Sequence, residues 1–523
     1  MSLEDDIEKY SRKTYYIWEN IIDILTENTI KKYQLYSYGR GEKCSKKKNC
    51  YIIAKIIDTD TLTSCVKYKY VDQTSDYIGI INFNYLDNTK NYIYCMCYIH
   101  TKLKLSDSVL KSIEMIPDSN ISFTKIKLEV EKKSWSFAFG SCRYQFGIGP
   151  IKFFGSGSSS DKIYKSIYEQ DIEFFMSIGD QVYLDPMGPI FRNKKLSDIR
   201  KKYREIRSYP DIKKLYSSIP IYEICDDHDI HRNNSNASKK IKDINTYCNS
   251  LKAYTEYQHY DGPRLDKPNL YYIFYRQNAT FFVMDTRSER DERLNVDNIQ
   301  KTPNIIGSKQ LLAIQKWATS ASNSDKIKFL ISSVPVVSQP EMDSFYGFPS
   351  QQKQLLEILL GLDENSDLIQ NLFILVGDTH CARIGQYYVY DKENKYLGDV
   401  TEIISSGLVA ITHDKGKYYE HGNDLTNYNT NNDFPYCVDN TNNNGLKFTT
   451  VFSSKSHPSI TNRTLDKILY PFKMISDNVF TKITINSDKM IVLIYNQSGS
   501  LLDSIDVDLD ININSDINIE NVI

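Results

Sequence analysis

Side chains that can bind metal ions or transfer protons follow several apolar runs of this sequence. Each cluster alone has an ordinary explanation, since an aspartate at a loop start often caps a helix and Gly-Asp is a common turn element. Together they favour a metal site, because carboxylate, phenolate, thiolate and imidazole groups can jointly surround a highly charged ion. A carboxylate shared by two ions would also reduce their mutual repulsion. The clusters are Cys142 with Arg143, Asp180 with Tyr183, the loop Asp226 to Asn234, and Asp378 with His380.

The apolar runs themselves predict buried strands that end at functional loops. Helical segments lie between several of them: residues 161–170 begin with a Ser/Asp capping signal, and residues 351–360 are apolar on one face. Strand, loop, helix and strand in succession are typical of an α/β domain, which we place at residues 133–523 with further strands at its C-terminal end. The runs are FAFGSCR, FFMSIGDQVY, IPIYEICDDHD, ATFFVMDTRSER, KFLISSVPVV, LFILVGDTH and TEIISSGLV.

The residues before this domain change their period along the chain. Apolar residues at near-helical spacing, such as Ile17, Ile21 and Leu25, predict a leading helical segment over residues 1–35. From residue 36 to 132, runs rich in β-branched and aromatic residues alternate with Asp, Asn, Thr and Ser, which predicts a small β-sandwich module. Its basic stretch at residues 40–48 is interpreted as a solvated loop rather than as a polyanion contact.

Length and charge limit the class of protein. A chain of 523 residues exceeds the size at which a single core stops growing, so a large catalytic domain and a smaller module are expected. The 64 Lys and Arg against 66 Asp and Glu give a net charge of -2, which argues against bulk attraction to nucleic acid or to an anionic membrane. With no secretory signal and no run of about 18 uncharged apolar residues, a cytoplasmic protein without a membrane partner is expected.

The cysteines and serines suggest no other chemistry. The 10 cysteines lie in no dense framework, which favours reduced, buried thiols over a disulfide scaffold. Pairing or zinc binding at Cys44 and Cys50, or at Cys95 and Cys97, is the less favoured alternative, because no second zinc-like knuckle accompanies them. A serine nucleophile is rejected, since no GxSxG elbow surrounds the serine pair of KFLISSVPVV.

Five of the motifs, in their order along the chain, resemble the signatures of PhoD-like metallophosphatases, the alkaline phosphatase D family of the calcineurin-like metallophosphoesterase superfamily. They are FAFGSCR, FFMSIGDQVYLD, DDHDIHRNN, VMDTRSER and ILVGDTH, and the resemblance extends over about residues 135–475. It implies a β-sandwich core flanked by helices in α/β/β/α order, preceded by an Ig-like module. It also implies hydrolysis of a small-molecule phosphate ester by in-line attack of a metal-bound hydroxide on phosphorus.

Carried over onto this sequence, the resemblance implies a metal centre that contains Fe³⁺ and Ca²⁺. Asp180 would bridge the two ions, with Asp227 and Asn233 as further ligands of Ca²⁺. His228 would protonate the leaving group, and Arg143 would reach the substrate phosphate. The ligands implied for Fe³⁺ are Cys142, Asp180, Tyr183, Asp378 and His380.

The DDHDIHRNN loop departs from the family pattern at two places. The family's tryptophan is replaced by Ile224 and Cys225, and its glutamate by Asp229, which keeps the implied ligands but alters packing and reach. Asp229 is expected either to orient the preceding histidine or to fix the loop. His231 is interpreted as an exposed loop residue, and Asp226 as a cap of the turn.

Several alternatives stay open from the residues alone. Asp285, Arg287 and Arg290 form either a buried ion-pair network or part of the substrate site. Cys381 is expected to pack beside the metals without binding them. Monoesters and diesters are not separated by these motifs, and the partner of the N-terminal module is unknown. A non-catalytic phosphate-binding or interaction protein that retains the fold is the rival function.

Overall fold

The computed structural model shows a β-rich N-terminal part followed by two larger sheets with helices. Within the ranges given below, no helix is both long enough and apolar enough to cross a membrane. The structure describes residues 17–27, 30–40, 49–87, 90–101, 124–126, 132–144, 146–148, 151–154, 161–185, 194–235, 243–258, 270–291, 303–320, 323–337, 343–362, 369–390, 396–409, 447–453 and 478–509.

The strands of residues 17–126 are called the N-terminal β module here. They are β1 (Ile17–Glu27), β2 (Ile30–Arg40), β3 (Asn49–Asp58), β4 (Ser64–Val71), β5 (Ile78–Asp87), β6 (Tyr92–Thr101) and β7 (Thr124–Ile126). Their described parts form one sheet of order β1-β2-β5 and another of order β4-β3-β6-β7. Side chains of both sheets share a core, to which β3 contributes Ile52, β5 Phe83 and β6 Met96. The predicted β-rich module is therefore present, while its Ig-like character stays a prediction.

The predicted leading helix is wrong for the described residues of that segment. Strands β1 and β2 pair in antiparallel fashion, with Glu27 opposite Ile30, and β2 pairs in turn with β5. Many of the apolar residues that suggested a helical face are β-branched isoleucines, which fit a pleated sheet, and the distant strand β5 completes the sheet beside β2. Residues 17–35 thus belong to the same sheet as strands of the predicted 36–132 module.

The remaining elements belong to the predicted α/β domain. Its strands are β8 (Trp135–Gly140), β9 (Phe146–Ile148), β10 (Ile151–Phe154), β11 (Phe175–Ile178), β12 (Ile221–Ile224), β13 (Tyr272–Arg276), β14 (Ala279–Val283), β15 (Ile327–Ser332), β16 (Leu372–Val376), β17 (Ala382–Tyr390), β18 (Tyr396–Ser405), β19 (Lys447–Ser453), β20 (Val479–Ile485), β21 (Lys489–Asn496) and β22 (Leu501–Asp508). Its helices are α1 (Lys162–Tyr168), α2 (Leu196–Arg207), α3 (Pro210–Ser218), α4 (Asp227–Ile230), α5 (Ile244–Tyr257), α6 (Ser308–Ala318) and α7 (Pro349–Leu359).

Two large sheets organise the described part of this domain. One has the strand order β12-β11-β8-β20-β21-β22 and the other β13-β14-β15-β16-β18-β17-β19. Strands β8, β11 and β12 are parallel, and so are β14, β15, β16 and β18. The carboxyl ends of the parallel strands therefore lie at one edge of each sheet, where loops with functional side chains are commonly placed.

Aromatic rings show that the two sheets face each other. Phe137 of β8 makes edge contacts with Phe281 of β14 and Phe329 of β15, at ring centroid distances of 5.4 and 5.3 Å. On β11, Phe175 contacts Tyr164 of α1. The next residues of the second sheet, such as Phe282 and Leu330, share a core with α6 and α7 instead. The α/β class is confirmed, and the exact metallophosphoesterase sandwich stays a prediction with which these contacts agree.

Candidate metal centre

Four of the candidate side chains occupy equivalent places at the ends of parallel strands. Strand β8 ends at Gly140, β11 at Ile178, β12 at Ile224 and β16 at Val376. After three of these strands the predicted ligand is the second residue, and after β12 that place is held by Asp226, one residue before the predicted ligand Asp227. The corresponding edges of the two sheets therefore carry residues that are far apart in sequence. These residues are Cys142, Asp180, Asp226 and Asp378.

Strained backbone conformations mark the same positions. Cys142, Asp180, Asp378 and His380 have φ angles of 61°, 57°, 67° and 52°, in the left-handed region that side chains with a Cβ rarely adopt. Each such residue costs about 1–3 kcal/mol and persists only where its surroundings hold it. Here the Cys142 amide donates to the Gly179 carbonyl at 3.2 Å. Residues with strained backbone conformations cluster at active sites, so the strain supports a functional site at these positions.

Close approach of the strand ends requires glycine at two positions. Gly179 has a φ of 84°, and a Cβ there would lie 2.6 Å from the Cβ of Asp226. A Cβ on Gly377 would lie 2.5 Å from the carbonyl oxygen of Ile178. Because backbone atoms cannot easily move aside, the GD pairs at 179–180 and 377–378 place their aspartates by packing as well as by turn geometry.

The thiol, phenol and imidazole groups meet around Asp180. The Cys142 sulfur lies 3.6 Å from Asp180 Oδ2, and the Tyr183 hydroxyl lies 3.1 Å from the same oxygen. The Tyr183 hydroxyl is also 3.3 Å from Nε2 of His380. The hydroxyl groups of Ser141 and Ser406 point at the Cys142 sulfur, at 3.4 and 3.2 Å. Burial and the charges of Asp180 and Asp378 nevertheless raise the pKa of the Cys142 thiol, so a cation would be needed to hold the thiolate, which is the form of cysteine that binds metal.

Within the described residues, Asp180 takes part in two groups whose ligand atoms all lie within 4.8 Å of one another. One group joins Asp180 to Asp227 and His228, and the other joins it to Asp226 and Asp378. Asp226 is the N-cap residue of α4, as the sequence suggested, but that interpretation missed its carboxylate as a member of this cluster. Its amide does take part in the turn, donating to Asp229 at 2.9 Å.

Burial and mutual repulsion oppose simultaneous ionisation of these carboxyl groups. Burial, together with repulsion from Asp226 and Asp227, raises the pKa of Asp180 and of Asp378 well above the usual range. Burial raises the pKa of Asp226 to about 6, against the attraction of a neighbouring guanidinium. For Asp227 burial acts in the same direction, but attraction to His228 and to that guanidinium prevails and lowers the pKa to about 2. A cation among these groups would offset the repulsion.

His228 is held by a carboxylate on one side and by an aromatic ring on one face. Its Nδ1 lies 2.5 Å from Oδ1 of Asp185, and its ring stacks on Tyr183 at 4.3 Å. Burial acts to lower the pKa of His228, but attraction to Asp227, Asp180 and Asp185 prevails and raises it. The Nε2 atom lies 4.0 Å from Oδ1 of Asp227, on the side of the carboxylate cluster.

Asp229 fixes the loop rather than orienting the histidine. Its carboxylate accepts hydrogen bonds from the backbone amides of residues 180, 181 and 182, at 2.7, 3.0 and 2.9 Å. It also accepts the amide of Asp226 at 2.9 Å. One side chain thus ties the loop after β11 to the loop after β12, while Asp185 has the orienting role at His228.

Arg143 is buried with its guanidinium paired to a carboxylate. Its Nε and Nη2 atoms each donate to Asp161 at 2.9 Å, and the guanidinium lies over the ring of Tyr209 at 5.0 Å. Arg143 is 0% exposed. A bidentate, fully buried pair of this kind is typical of a structural ion pair. The substrate role implied for Arg143 stays a prediction, and this pairing does not favour it.

The VMDTRSER motif contributes a buried ion-pair network beside the carboxylate cluster. The Arg287 guanidinium donates from Nε to Asp226 Oδ1 and from Nη1 to Asp343 Oδ2, the latter at 2.8 Å. Nη2 of Arg290 lies 3.1 Å from Asp343 Oδ1. Asp285 instead accepts the backbone amide of Arg287 at 3.0 Å. Of the two alternatives for this motif, the contacts favour the ion-pair network.

Two further residues of the DDHDIHRNN loop, His231 and Asn233, were interpreted from the sequence. His231 is buried, with 1% exposure, so its interpretation as an exposed loop residue is wrong. Its backbone amide donates to the Asp227 carbonyl at 2.8 Å. Asn233 is exposed, and its backbone amide donates to the Asp185 carboxylate at 3.1 Å. Its role as a ligand stays a prediction.

Sequence reasoning missed Asp185 and Asp343 as partners in the site. Asp185 was visible as the last residue of FFMSIGDQVYLD, and its spacing from Asp180 was a usable signal. Asp343 had no such signal, because it lies outside every motif and reaches Arg287 only through the fold. The Cys381 sulfur contacts the Thr379 hydroxyl at 3.1 Å, and its place beside the metals without binding them stays a prediction.

Oxygen, sulfur and nitrogen donors of the kinds that can hold a metal ion converge at the carboxyl ends of two facing sheets. The chain belongs to the PhoD-like phosphatase family, whose model matches residues 146–451, and it is a phosphoric ester hydrolase. The family is metal-dependent, in agreement with the acidic groups of this site.

The solved structures show similarity in fold alone. A structure described as "Structure of PhoD" has 13% sequence identity and a TM-score of 0.58, and the match covers 94% of this chain and 92% of that chain. A glycosyl hydrolase family 2 member from Bacteroides cellulosilyticus has 6% identity and a TM-score of 0.26 over 69% of this chain and 40% of its own, which is too low to carry an argument. None of the curated proteins matches this chain.

Proposed function

We propose that the protein hydrolyses small phosphate esters with a metal centre in which Asp180 is the shared ligand. The observation that carries this proposal is that Asp180 belongs to both groups of possible metal ligands. The Cys142 sulfur and the Tyr183 hydroxyl also lie beside its Oδ2 atom. One carboxylate between two ions would reduce their repulsion. The shared position therefore supports a centre with more than one cation.

The residues present fit such a centre. Asp226 Oδ2 is buried and has no hydrogen-bond partner in the described structure, although such an oxygen is normally paired. Cys142, Tyr183 and His380 supply sulfur, phenolate and imidazole donors that suit Fe³⁺, whereas the oxygen ligands expected at the second site suit Ca²⁺. When bound, such ions would supply a hydroxide for in-line attack on phosphorus and neutralise the phosphoryl oxygens. Cys142, Asp180, Tyr183, Asp378 and His380 would hold the first ion, and Asp180, Asp227 and Asn233 the second.

His228 would serve as the proton donor to the departing oxygen. The carboxylate of Asp185 holds Nδ1, which leaves Nε2 as the atom on the side of the cluster. The ring of Tyr183 restricts rotation of the imidazole. A positioned general acid contributes typically about 10² to 10⁴ in rate. We expect His228→Ala to reduce turnover by about this factor while metal content is retained.

Metal analysis tests the proposal independently of activity. The purified protein should contain iron, and Tyr183 bound to Fe³⁺ should produce a visible charge-transfer band that is absent from Tyr183→Phe. Tyr144→Phe is the matched control, because its ring contacts Tyr183 at 4.9 Å without belonging to the ligand set. The band should be retained in that control. A colourless protein that still hydrolyses aryl phosphates would reject iron as the metal.

Substrate class follows from a parallel assay of monoesters and diesters. Aryl phosphate monoesters and bis-aryl phosphate diesters have the same leaving group, so any preference reflects the surroundings of phosphorus. Hydrolysis of at least one class is expected. A metal-loaded protein that is inert towards both would overturn the proposed activity.

A further inference from the structure

The N-terminal β module contacts the helices that support the candidate metal centre. The turn between β4 and β5, residues 72–77, carries two successive left-handed residues, Asp76 and Tyr77, with φ angles of 49° and 63°. The next residue, Ile78, is 2% exposed and packs into the core of the α/β domain rather than that of its own module. The strained turn thus inserts into the second domain.

Polar contacts join this turn to helices α2 and α5. The Asp76 carboxylate accepts a hydrogen bond from the Tyr257 hydroxyl and pairs with Nη1 of Arg204 at 2.5 Å. Arg200 donates to the backbone carbonyl of Thr74 at 2.8 Å and to that of Gln73 at 3.3 Å. The contacts therefore involve both a charge and the backbone of the module.

Helix α2 presents a row of arginines, here called the arginine ladder, on one face. The spacing of four and three residues places Arg200, Arg204 and Arg207 on neighbouring turns. Each forms an ion pair with an acidic residue of a different element, so helix α2 is joined by ion pairs to three other elements. The pairs are Arg200 with Glu256 of α5 at 2.6 Å, Arg204 with Asp76 of the module at 2.5 Å, and Arg207 with Glu223 of β12 at 2.5 Å.

The last pair leads directly to the candidate site. Glu223 lies on β12, three residues before Asp226, and it is 2% exposed. Its carboxylate also accepts the Tyr216 hydroxyl at 2.9 Å. Arg207 bridges Glu223 to the carbonyl of Tyr257, whose hydroxyl is held by Asp76. A continuous set of hydrogen bonds therefore connects the module to the strand that delivers the DDHDIHRNN loop.

We infer that Asp76 is a positioning residue for the candidate metal centre, acting through the arginine ladder on β12, an inference that rests on the proposed function. Without the Asp76 charge, Arg204 would keep a positive charge with no acid opposite it, close to Arg200 and Arg207. The three guanidinium groups would then share the two remaining acids, Glu256 and Glu223. Glu223 would be drawn from its place, and with it the strand that positions Asp226 and Asp227. The N-terminal β module therefore helps to position the strand that carries residues of the candidate metal centre.

The test is Asp76→Asn in the full-length, metal-loaded protein. Asparagine accepts the left-handed backbone of this turn, so the change removes the charge while it keeps the fold of the turn. Asp72→Asn is the matched control, because Asp72 caps the same turn by accepting the Thr74 amide at 2.8 Å and is bonded there to its own turn. Arg204→Gln is combined with Asp76→Asn to remove the unbalanced cation.

We expect kcat of Asp76→Asn for an aryl phosphate to fall about threefold to tenfold with KM unchanged, within the range for residues that act through a contact network. The double variant should recover most of this loss, whereas Asp72→Asn should retain wild-type kcat. Hydrogen exchange of a peptide spanning 221–231 should rise in Asp76→Asn and return in the double variant. Unchanged exchange and kcat in Asp76→Asn, or no recovery in the double variant, would overturn the inference.

Hydrogen exchange tests this inference independently of whether the proposed function is correct. If the wild-type protein hydrolyses no phosphate ester, the proposed function fails, but exchange over residues 221–231 still reports whether Asp76 positions β12. If Asp76→Asn does not fold, Asp76→Gly is used instead, since glycine also accepts the left-handed backbone and the change removes the same charge. That variant should then show raised exchange over 221–231, and unchanged exchange would overturn the inference.

Discussion

Replacement of Asp185 by asparagine tests how the imidazole of His228 is held. Asp185 is 4% exposed at its side chain and lies 2.5 Å from Nδ1 of His228, while its other oxygen accepts the Asn233 amide at 3.1 Å. In Asp185→Asn the charge is lost, and an amide nitrogen must face one of these two donors. The histidine would then lose its preferred orientation.

The size of the effect follows from the type of hydrogen bond. A buried bond to a charged group contributes about 1.5–3 kcal/mol, which corresponds to roughly 10- to 150-fold in rate if it is lost in the transition state. We therefore expect kcat to fall by this factor. Combined with His228→Ala, the change should cause little further loss, because the two residues act as one unit.

The assay compares phosphate esters with leaving groups of different acidity. A general acid matters most for a poor leaving group, so the loss should be larger for an alkyl phosphate than for a nitrophenyl phosphate. Iron and calcium content should match wild type, and Asp198→Asn, on the exposed side of α2, is the control for the same chemical change. Equal losses for all leaving groups, or loss of metal, would refute the reasoning.

Three further predictions concern stability. Arg287→Met should lower the free energy of unfolding by about 3–5 kcal/mol in urea titrations, because Asp226 and Asp343 would be left buried without their partner; a loss below about 1 kcal/mol would contradict this. Burial lowers the pKa of Lys328 from 10.5 to about 8, so its charge destabilises the folded state below pH 8. The free energy of unfolding should therefore rise between pH 8 and 10.5, where the side chain loses its proton in the folded state but keeps it in the unfolded state. Lys328→Met should remove that rise relative to wild type, an effect of roughly 1–2 kcal/mol after solvent screening, and parallel pH curves would count against it. Removal of metal by a chelator should lower the melting temperature of the wild-type protein, because bound ions stabilise only the folded state; an unchanged temperature would argue against a centre held by the fold.

The places of the site residues were predictable where local pattern and position coincide. Apolar runs that end in a polar cluster predicted the strands β8, β11, β12 and β16, because a buried strand must stop where polar groups begin. The strand ends then fall where parallel sheets place functional loops. Cys142, Asp180, Tyr183, Asp378 and His380 were all found in this way, and the structure brings them together.

The first strands were not predictable from period alone. Residues 17–35 have isoleucines at spacings that fit a helical face, but Ile17–Glu27 pairs with Ile30–Arg40, and the third strand of this sheet lies far along the chain at residues 78–87. Local spacing contains no information about that third strand. The same limitation applies to Ile78, which packs with the second domain because the turn before it is inserted there.

The sequence by itself determined the class of chemistry and the strand ends that carry it, because residue type and local period are properties of neighbouring residues. Only the tertiary structure decided which carboxylates lie close to Asp180. It also decided that His228 is held by Asp185, 43 residues away, rather than by Asp229. It likewise decided that Arg287 pairs with Asp343, 56 residues away. These partners are set by distances between side chains that only the packed sheets and helices bring together.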